Sequence, residues 1–474
     1  MSDFNLIDEP WIPCIDLNGR GDEYGIRDTL LKAHKLREIC DDSPLVTVAI
    51  HRLLLAILYR AFMGPNDMAG WKQLFNVRSF QGNNEIDNYL TKWKNRFFLF
   101  DDQYPFMQVA GLDLNEYQPN GKLKKDKTDG LMVLVREAPD KRGRILFDHR
   151  VGTERPEYES KQIARMILSA QSYSGTGVAS SGRITQNGND RVINPTQRRT
   201  APCVKGLVLW LQGENLFQTL LLNLIPRNYV ANDKPSWEDG SIIEVAIRSW
   251  KKPRSFAGTA QRFAPLSRFI RIIDRKQMFF TNGLKTIPDS DDPMKAYSRP
   301  DDKSEYEVLK LREDRAAWRD AYALFSLGSS VRKPPEALNH LARLDSQVSH
   351  PKANIVGIAT DKNKIFLWRH ERMPVPAEIL INVNLIERLG GLISEAEAVG
   401  SELSWGLHWD AKKKKTIRKE PIGRIQMIAD LMLDPLLEFR GNGAVRTAEG
   451  RSPSDAHNAS CRSLSENLDP RPAY

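Results

Sequence analysis

The chain has 474 residues, which is enough for two or three domains with a sizeable core. Lysine and arginine number 69 against 60 acidic residues, so the net charge of +9 only weakly favours a polyanionic partner. Four scattered cysteines exclude a closely spaced zinc or redox motif, and the N-terminus lacks the basic and then apolar stretch of a signal peptide, so we expect a cytoplasmic protein without a membrane span.

The first strong signal is a helix start. The sequence Asp-Ser-Pro at 42–44 combines a capping side chain with a proline at the first helical position. Residues 45–62 then continue as a strongly apolar stretch, which predicts a core helix. We expect Arg52 and Arg60 to lie on its solvent-exposed face.

Two polar segments follow. Residues 115–144 are lysine-rich and predict an exposed loop or insertion. The next segment, 145–158, carries Phe147, His149 and Arg150, which are an aromatic ring, a polar ring and a cation. That mixture can stack on bases and hold phosphates. The alternative is a buried Phe147 with solvated neighbours.

A helix is predicted from residue 160, and it leads into the loop QSYSGTGVASSGR. Gly175 and Gly177 in this loop have no side chains, so the backbone there could approach a groove or a phosphate closely. The alternative is an ordinary turn.

Arginines alternate with apolar residues over 262–275, which suits a strand with Arg268 and Arg271 near its edges or faces. Lys276 follows directly. The acidic stretch 289–293 could suggest a metal site, but no histidine lies beside it, so a solvated turn is the favoured interpretation.

Residues 355–376, IVGIATDKNKIFLWRHERMPVP, predict a hairpin. Two apolar runs flank a polar tip made of Asp361, Lys362 and Asn363, which are residues found at or tolerated in turns. Such a hairpin could insert its tip into an anionic partner. The alternative is a surface turn with solvated charges.

The last part of the chain is helical by pattern. Helices are predicted within 377–407 and 421–439, and from residue 440 the composition predicts a disordered tail. We therefore predict a mixed α/β domain over 1–374, a helical bundle over 375–440 and a disordered tail over 441–474.

Several blocks together resemble one family, the large subunit (CasA-type) of the type I-E CRISPR Cascade surveillance complex. The ordered series spans roughly residues 4–439 and consists of FNLIDEPWIP, SPLVTVAIHRLLLAIL, YPFMQV, LFDH, QSYSGTG, KGLVLWLQGENLFQTLLLNLI, DDPMKAY, RAAWRD and ATDKNKIFLWRHERMPVP.

The resemblance implies an α+β fold, with a large mixed α/β N-terminal domain followed by a C-terminal helical bundle. It also implies a subunit without catalysis or cofactor. In such a complex, guide RNA pairs with target DNA on other subunits, while this one recognises the PAM, the short motif beside the target, in double-stranded DNA. The implied partners are the backbone, guide 5′-end-binding and small subunits, and a helicase–nuclease recruited after the R-loop forms.

The resemblance also assigns site residues. Family members read the PAM from the minor groove with a glycine-containing loop and a lysine, and open the duplex with a wedge. These parts map onto Ser174, Gly175, Thr176 and Gly177 for the loop, Lys276 for the lysine, and Lys362 or Asn363 for the wedge. Family members often carry glutamine at the wedge, so its one-residue register stays open. The loop that touches DNA or the complex maps onto Phe147, His149 and Arg150.

The sequence departs from the family in two ways. It lacks the paired cysteines that hold zinc in some members, so we predict no metal, and its bundle is shortened to two or three helices. The shortened bundle leaves open a structural scaffold subunit that has lost PAM reading. A nuclease using Asp148, His149 or the acidic stretch 289–292 is a third alternative.

Overall fold

The computed structural model describes residues 4–113, 115–117, 122–126, 128–136, 155–175, 181–186, 189–193, 200–241, 244, 252–287, 291–299, 305–312, 316–327, 329, 331–344, 348, 350–361, 364–375 and 380–413. These residues belong to one compact unit, Met1–Met427. Several predicted features lie outside the described residues: Phe147, His149, Arg150, Thr176, Gly177, Lys362, Asn363 and the segment 414–474.

Helices occur along the whole described chain. They are α1 Ile26–Leu31, α2 Pro44–Ala61, α3 Met68–Asn76, α4 Asn84–Trp93, α5 Ser160–Tyr173, α6 Leu216–Asn223, α7 Thr259–Phe263, α8 Ala321–Phe325, α9 Glu336–Leu341 and α10 Val383–Lys413. Short 3₁₀ turns lie at Ala33–Lys35, Lys94–Arg96, Leu131–Leu134, Pro202–Val204 and Ala317–Asp320.

The strands form several small sheets. They are β1 Ile12–Asp16, β2 Gly21–Tyr24, β3 Leu36–Ile39, β4 Asn115–Tyr117, β5 Leu123–Asp126, β6 Asp129–Gly130, β7 Gly182–Gln186, β8 Asn189–Ile193, β9 Val208–Gln212, β10 Arg268–Ile272, β11 Gln277–Asn282, β12 Tyr297–Ser298, β13 Glu307–Val308, β14 Arg332–Lys333, β15 Lys352–Asp361 and β16 Lys364–Pro374. Their orders are β2-β1-β3, β10-β11-β6, β13-β12-β14, β16-β15-β9, β4-β5 and β7-β8. Antiparallel pairs of this kind, set among separate helices, confirm the predicted α+β class.

Helix α2 forms the centre of the core. The Ser43 hydroxyl accepts a hydrogen bond from the backbone N–H of Val46 at 3.2 Å, and Pro44 occupies the first turn, as the sequence predicts. The helix has the length and hydropathy of a membrane span, but 89% of it is buried inside the protein. We therefore interpret it as a core helix, because neighbouring elements already cover its apolar surface.

The expected solvent-exposed face of α2 does not exist. Arg52 is 1% exposed, and its guanidinium lies 3.0 Å from the carboxylate of Asp292. Arg60 pairs with Glu238 at 2.7 Å. Both predictions for these arginines were wrong because a helix that is buried all round must neutralise its cations with acids from distant segments.

Asp292 also corrects the expectation of a solvated acidic turn at 289–293. It is 4% exposed and contacts Arg52 and, at 4.0 Å, Lys295. Burial alone would raise the pKa of this carboxyl, but the two cations hold it at about 2. Asp291 is paired with Lys333 at 2.7 Å.

The helix predicted after the hairpin is present as α10, which runs on through Gly390 and Gly391 without a break. The Arg319 guanidinium lies 3.2 Å from the Glu397 carboxylate of α10, so this helix contacts the segment before the hairpin. The domain boundary at 374–375 stays a prediction.

Candidate nucleic-acid interface

Lys276 lies in the turn between β10 and β11. The Asp274 carboxylate accepts hydrogen bonds from the backbone N–H groups of Lys276 and Gln277, both at 2.7 Å, which is the pattern of an Asx turn. The side chain of Lys276 is 53% exposed, and its ammonium lies 3.4 Å from the carboxylate of Glu157. The backbone is therefore fixed while the cation remains accessible.

Both flanks of segment 137–154 attach to this turn. On one side, the backbone N–H of Leu131 donates to the Lys276 carbonyl at 3.4 Å. On the other side, the N–H of Tyr158 donates to the Arg275 carbonyl at 2.9 Å. The segment between them carries Phe147, His149 and Arg150, which lie outside the described residues. The described residues on both sides of segment 137–154 are therefore held at the turn that carries Lys276.

Arg155 strengthens this attachment, and sequence reasoning missed it. Its guanidinium donates to the side chains of Thr128 at 2.8 Å and Gln277 at 2.7 Å, and to the Thr128 carbonyl at 2.9 Å. These contacts span 27 and 122 residues of sequence, so no local pattern could have indicated them.

The glycine loop begins at the end of α5. Ser174 and Gly175 are buried, whereas Thr176 and Gly177 lie outside the described residues. The Ser174 carbonyl accepts hydrogen bonds from the backbone N–H of Ala201 at 2.9 Å and from the guanidinium of Arg268 at 3.1 Å. Arg268 also donates to the Gly175 carbonyl. The start of the loop is therefore held from two sides.

Arg268 lies inside the protein. It is the first residue of β10, so the predicted strand is present, and its side chain is 2% exposed. Gln171 of α5 fixes the strand beneath it, because its side-chain amide donates to the Arg268 carbonyl at 2.8 Å and its oxygen accepts from the Arg268 N–H at 2.9 Å. Arg271 is half-buried and donates to the Leu112 carbonyl at 3.0 Å.

The start of the glycine loop and Lys276 lie near opposite ends of β10. The loop enters beside Arg268, at one end of β10, and a Cβ added to Gly182 at its exit would lie 2.9 Å from Phe279 of β11. Lys276 lies beyond the other end of β10. Arg268 and Ile272 are four residue steps apart, or roughly 14 Å at about 3.4 Å per residue. The start of the glycine loop and Lys276 are therefore separated by about the length of four base pairs of DNA, at about 3.4 Å each.

The predicted hairpin is confirmed as β15 and β16. Asp361 pairs with Lys364, so Lys362 and Asn363 connect the two strands, and both lie outside the described residues. The register shifts between Ala359 and Thr360, which leaves Phe366 as an extra residue in β16. A bulge of this kind bends a ladder and increases its twist close to its end. The sequence pattern gave no sign of it.

The described residues contain no group of three or more histidine, cysteine or acidic side chains that could hold a metal ion. Asp291 and Asp292 are occupied by Lys333 and Arg52, so they do not favour the nuclease alternative. Asp148 and His149 lie outside the described residues.

Comparisons with known proteins agree with one another. The family model described as CRISPR-associated protein Cse1 matches residues 5–438. The CRISPR-associated protein CasA/Cse1 of Thermus thermophilus is 30% identical over 418 residues, which cover 84% of this chain and 76% of the relative.

The fold has solved counterparts. A crystal structure of CasA from Thermus thermophilus superposes with a TM-score of 0.73 at 26% identity and covers 98% of this chain and 93% of its own. A chain of a CRISPR RNA-guided surveillance complex superposes with a TM-score of 0.72 at 19% identity and covers 95% and 91%. At 19% identity the second likeness concerns the fold alone.

Proposed function

Because the chain belongs to the family of the CRISPR-associated protein Cse1, we propose that it is the large subunit of an RNA-guided surveillance complex. In this role it recognises the PAM of double-stranded DNA from the minor groove and opens the duplex to start the R-loop. The subunit is non-catalytic, acts in the cytoplasm and helps recruit a helicase–nuclease after the R-loop has formed. Its other partners are the guide-RNA-containing subunits of the complex.

The observation that carries this proposal is the exposed ammonium of Lys276 on a backbone fixed by Asp274. The minor groove presents base acceptors in a degenerate pattern, and a lysine can donate to them. A rigid turn brings that donor to the groove at low entropic cost. A reader of this kind tolerates several PAM sequences because the groove distinguishes few base pairs.

The glycine loop supplies a second contact. Gly177 has no side chain, so the main chain that follows the buried Gly175 can lie close to the DNA. Arg268 and Ala201 hold the start of the segment, so little conformational freedom remains to be lost there on binding. The described anchors therefore support a preformed surface rather than an ordinary turn.

The hairpin supplies the wedge. A side chain at Lys362 or Asn363 would enter between base pairs beside the PAM. Unstacking a base step costs a few kcal/mol, which contacts to phosphates and the growing RNA–DNA heteroduplex offset.

Binding of PAM-randomised duplexes by the reconstituted complex tests this function. We expect the complex with this chain to show a PAM preference, and Lys276→Ala to reduce it by about tenfold. Lys32→Ala is the matched control, because Lys32 is 48% exposed and is also ion-paired, with Asp28 at 2.8 Å. An unchanged preference in Lys276→Ala would favour a scaffold subunit without PAM reading.

A further inference from the structure

The base of the β15–β16 hairpin contains a ring of polar contacts that the wedge function does not explain. Asn354 of β15 is fully buried. Its side-chain oxygen accepts hydrogen bonds from Arg372 Nε at 2.8 Å and from His370 Nε2 at 3.0 Å. Its amide nitrogen donates to Gln212 of β9 at 3.0 Å. Asn354 thus joins the three strands of the sheet to one another.

Glu38 closes the ring from a different sheet. Gln212 Nε2 donates to the Glu38 carboxylate at 3.3 Å, and the guanidinium of Arg372 forms an ion pair with the same carboxylate. Glu38 belongs to β3 and lies 334 residues before Arg372 in sequence. The side chain of Glu38 is only 15% exposed, so the pair is partly shielded from solvent.

Three aromatic rings pack beside these polar contacts. The ring of Trp210, from β9, lies 5.5 Å from His370 and 5.2 Å from His51 of α2, measured between ring centroids. Burial lowers the pKa of both histidines, that of His51 to about 4. At neutral pH the two rings are therefore uncharged and do not repel each other across Trp210.

These polar contacts lie where the hairpin pairs with β9, and the hairpin extends beyond that pairing. β9 pairs with β15 only over Lys352–Val356, and β15 continues for five residues to Asp361. At about 3.4 Å per residue the strand runs roughly 17 Å past its pairing with β9. Gly357, where β15 leaves β9, lies so close to Leu207 that an added Cβ would be 2.6 Å from its side chain. Ile358 and Ala359 are still buried, so packing along β15 and the polar contacts at the base together resist a force on the tip.

Building on the proposed wedge, we propose that Glu38, Asn354 and Arg372 are positioning residues that hold the hairpin against the load of duplex opening. A buried amide whose oxygen and nitrogen both have partners fixes the strand register, because a one-residue slip would bury it unpaired. The Glu38–Arg372 pair ties β16, the outer strand of this sheet, to a second sheet. Without these contacts the tip bends away from the duplex instead of opening it.

The rate of duplex opening tests this inference. The reconstituted complex is mixed with a PAM duplex that carries a base analogue, at the first pair beside the PAM, whose fluorescence rises on unstacking. A second duplex has that region already mismatched and open. We expect Glu38→Gln to slow opening of the matched duplex about fivefold, which corresponds to roughly 1 kcal/mol, and to leave binding of the open duplex within about twofold.

Three comparisons make the result specific. Glu336→Gln is the matched control, because Glu336 forms a similar half-buried pair with Arg227 at 2.7 Å. A complex carrying both Glu38→Gln and Arg372→Gln should slow duplex opening by less than the two single effects combined, because each change removes the shared Glu38–Arg372 pair. A tip variant with Lys362→Ala and Asn363→Ala reports on the wedge itself.

The outcomes are distinguishable. If the tip variant is slow and Glu38→Gln opens the matched duplex at the unmodified rate, the anchoring proposal is overturned and the wedge stands. Equal slowing on matched and open duplexes would also overturn it, because that result indicates a general loss of structure. If the tip variant opens the duplex normally, the proposed wedge function itself fails.

Discussion

Arg52 in the core and Arg268 beneath the glycine loop are buried to the same degree, at 1% and 2% exposure, but they have different acceptors. Arg52 faces the carboxylate of Asp292. Arg268 donates to the backbone carbonyls of Ser267, Ser174 and Gly175. Arg52 in the scaffold thus pairs with an anion, whereas Arg268 at the candidate interface fastens the start of the glycine loop through backbone carbonyls.

The difference shows how one fold serves stability and binding. A carboxylate neutralises the charge of its partner, whereas backbone carbonyls that accept from a guanidinium tie it to particular main-chain positions. The contacts of Arg268 therefore fix the start of a loop that we propose to lie against DNA. Two regions with the same residue type should consequently respond differently to substitution.

The largest effect is expected in the scaffold. Asp292→Ala removes the carboxylate and leaves Arg52 and Lys295 buried beside each other without it. An uncompensated buried charge costs about 3–5 kcal/mol, so the free energy of unfolding should fall by that amount. Denaturant titration of the isolated chain measures it.

A double variant provides the control for this prediction. Arg52→Met combined with Asp292→Leu removes both charges and keeps most of the volume, so it should be clearly more stable than Asp292→Ala alone. If Asp292→Ala lost less than about 1 kcal/mol, water or a neighbouring group would be supporting Arg52, and the contrast with Arg268 would disappear.

A smaller loss of stability, with a larger loss of DNA binding, is expected at the interface. Arg268→Met keeps the length of the side chain but removes the donors to Ser174 and Gly175. Unfolding should become easier by about 1–3 kcal/mol, and the affinity of the complex for PAM duplex should fall because the loop start is released. Thermal unfolding and duplex titration measure the two effects.

Arg268→Lys sharpens this test. A lysine keeps the charge but lacks the planar fork that reaches several carbonyls at once. We expect it to restore part of the DNA affinity and little of the stability. A lysine variant that binds DNA no better than Arg268→Met would argue that geometry alone matters here, and not the retained charge.

The same residues show which features of the fold could be predicted from the sequence. The apolar run of α2, its Ser43–Pro44 start and the two runs of the β15–β16 hairpin are local patterns, so their elements were predictable. The environment of a charged side chain is not local. Arg52 meets Asp292 240 residues away, so a sequence pattern that marks arginine as polar places it wrongly in solvent.

In the candidate site, too, contacts between residues that are distant in sequence could not be predicted from local patterns. Lys276 was assigned by resemblance, and the structure adds that its turn also anchors both flanks of segment 137–154. The roles of Arg155, Arg268 and Glu38 depend on partners far away in sequence, and only the folded chain brings them together. The bulge at Phe366 was equally unpredictable, because a hydrophobic run does not reveal which residue is left unpaired.

The smallest effect is expected at the surface of the interface, where Glu157 lies 3.4 Å from Lys276. Both side chains are more than half exposed, so Glu157→Gln should leave the free energy of unfolding almost unchanged. DNA must compete with this carboxylate for the lysine, so its removal should tighten binding of PAM duplex by about twofold to threefold at low salt, and less as salt increases. Titration at two salt concentrations measures the change, with Glu159→Gln as the nearby control, since Glu159 contacts Lys161 instead. Equal tightening by both variants would indicate a general effect of net charge. Tightening by Glu157→Gln alone would show that Glu157 pairs with Lys276 until DNA displaces it. The buried pair of Arg52 with Asp292, in contrast, has no such competitor.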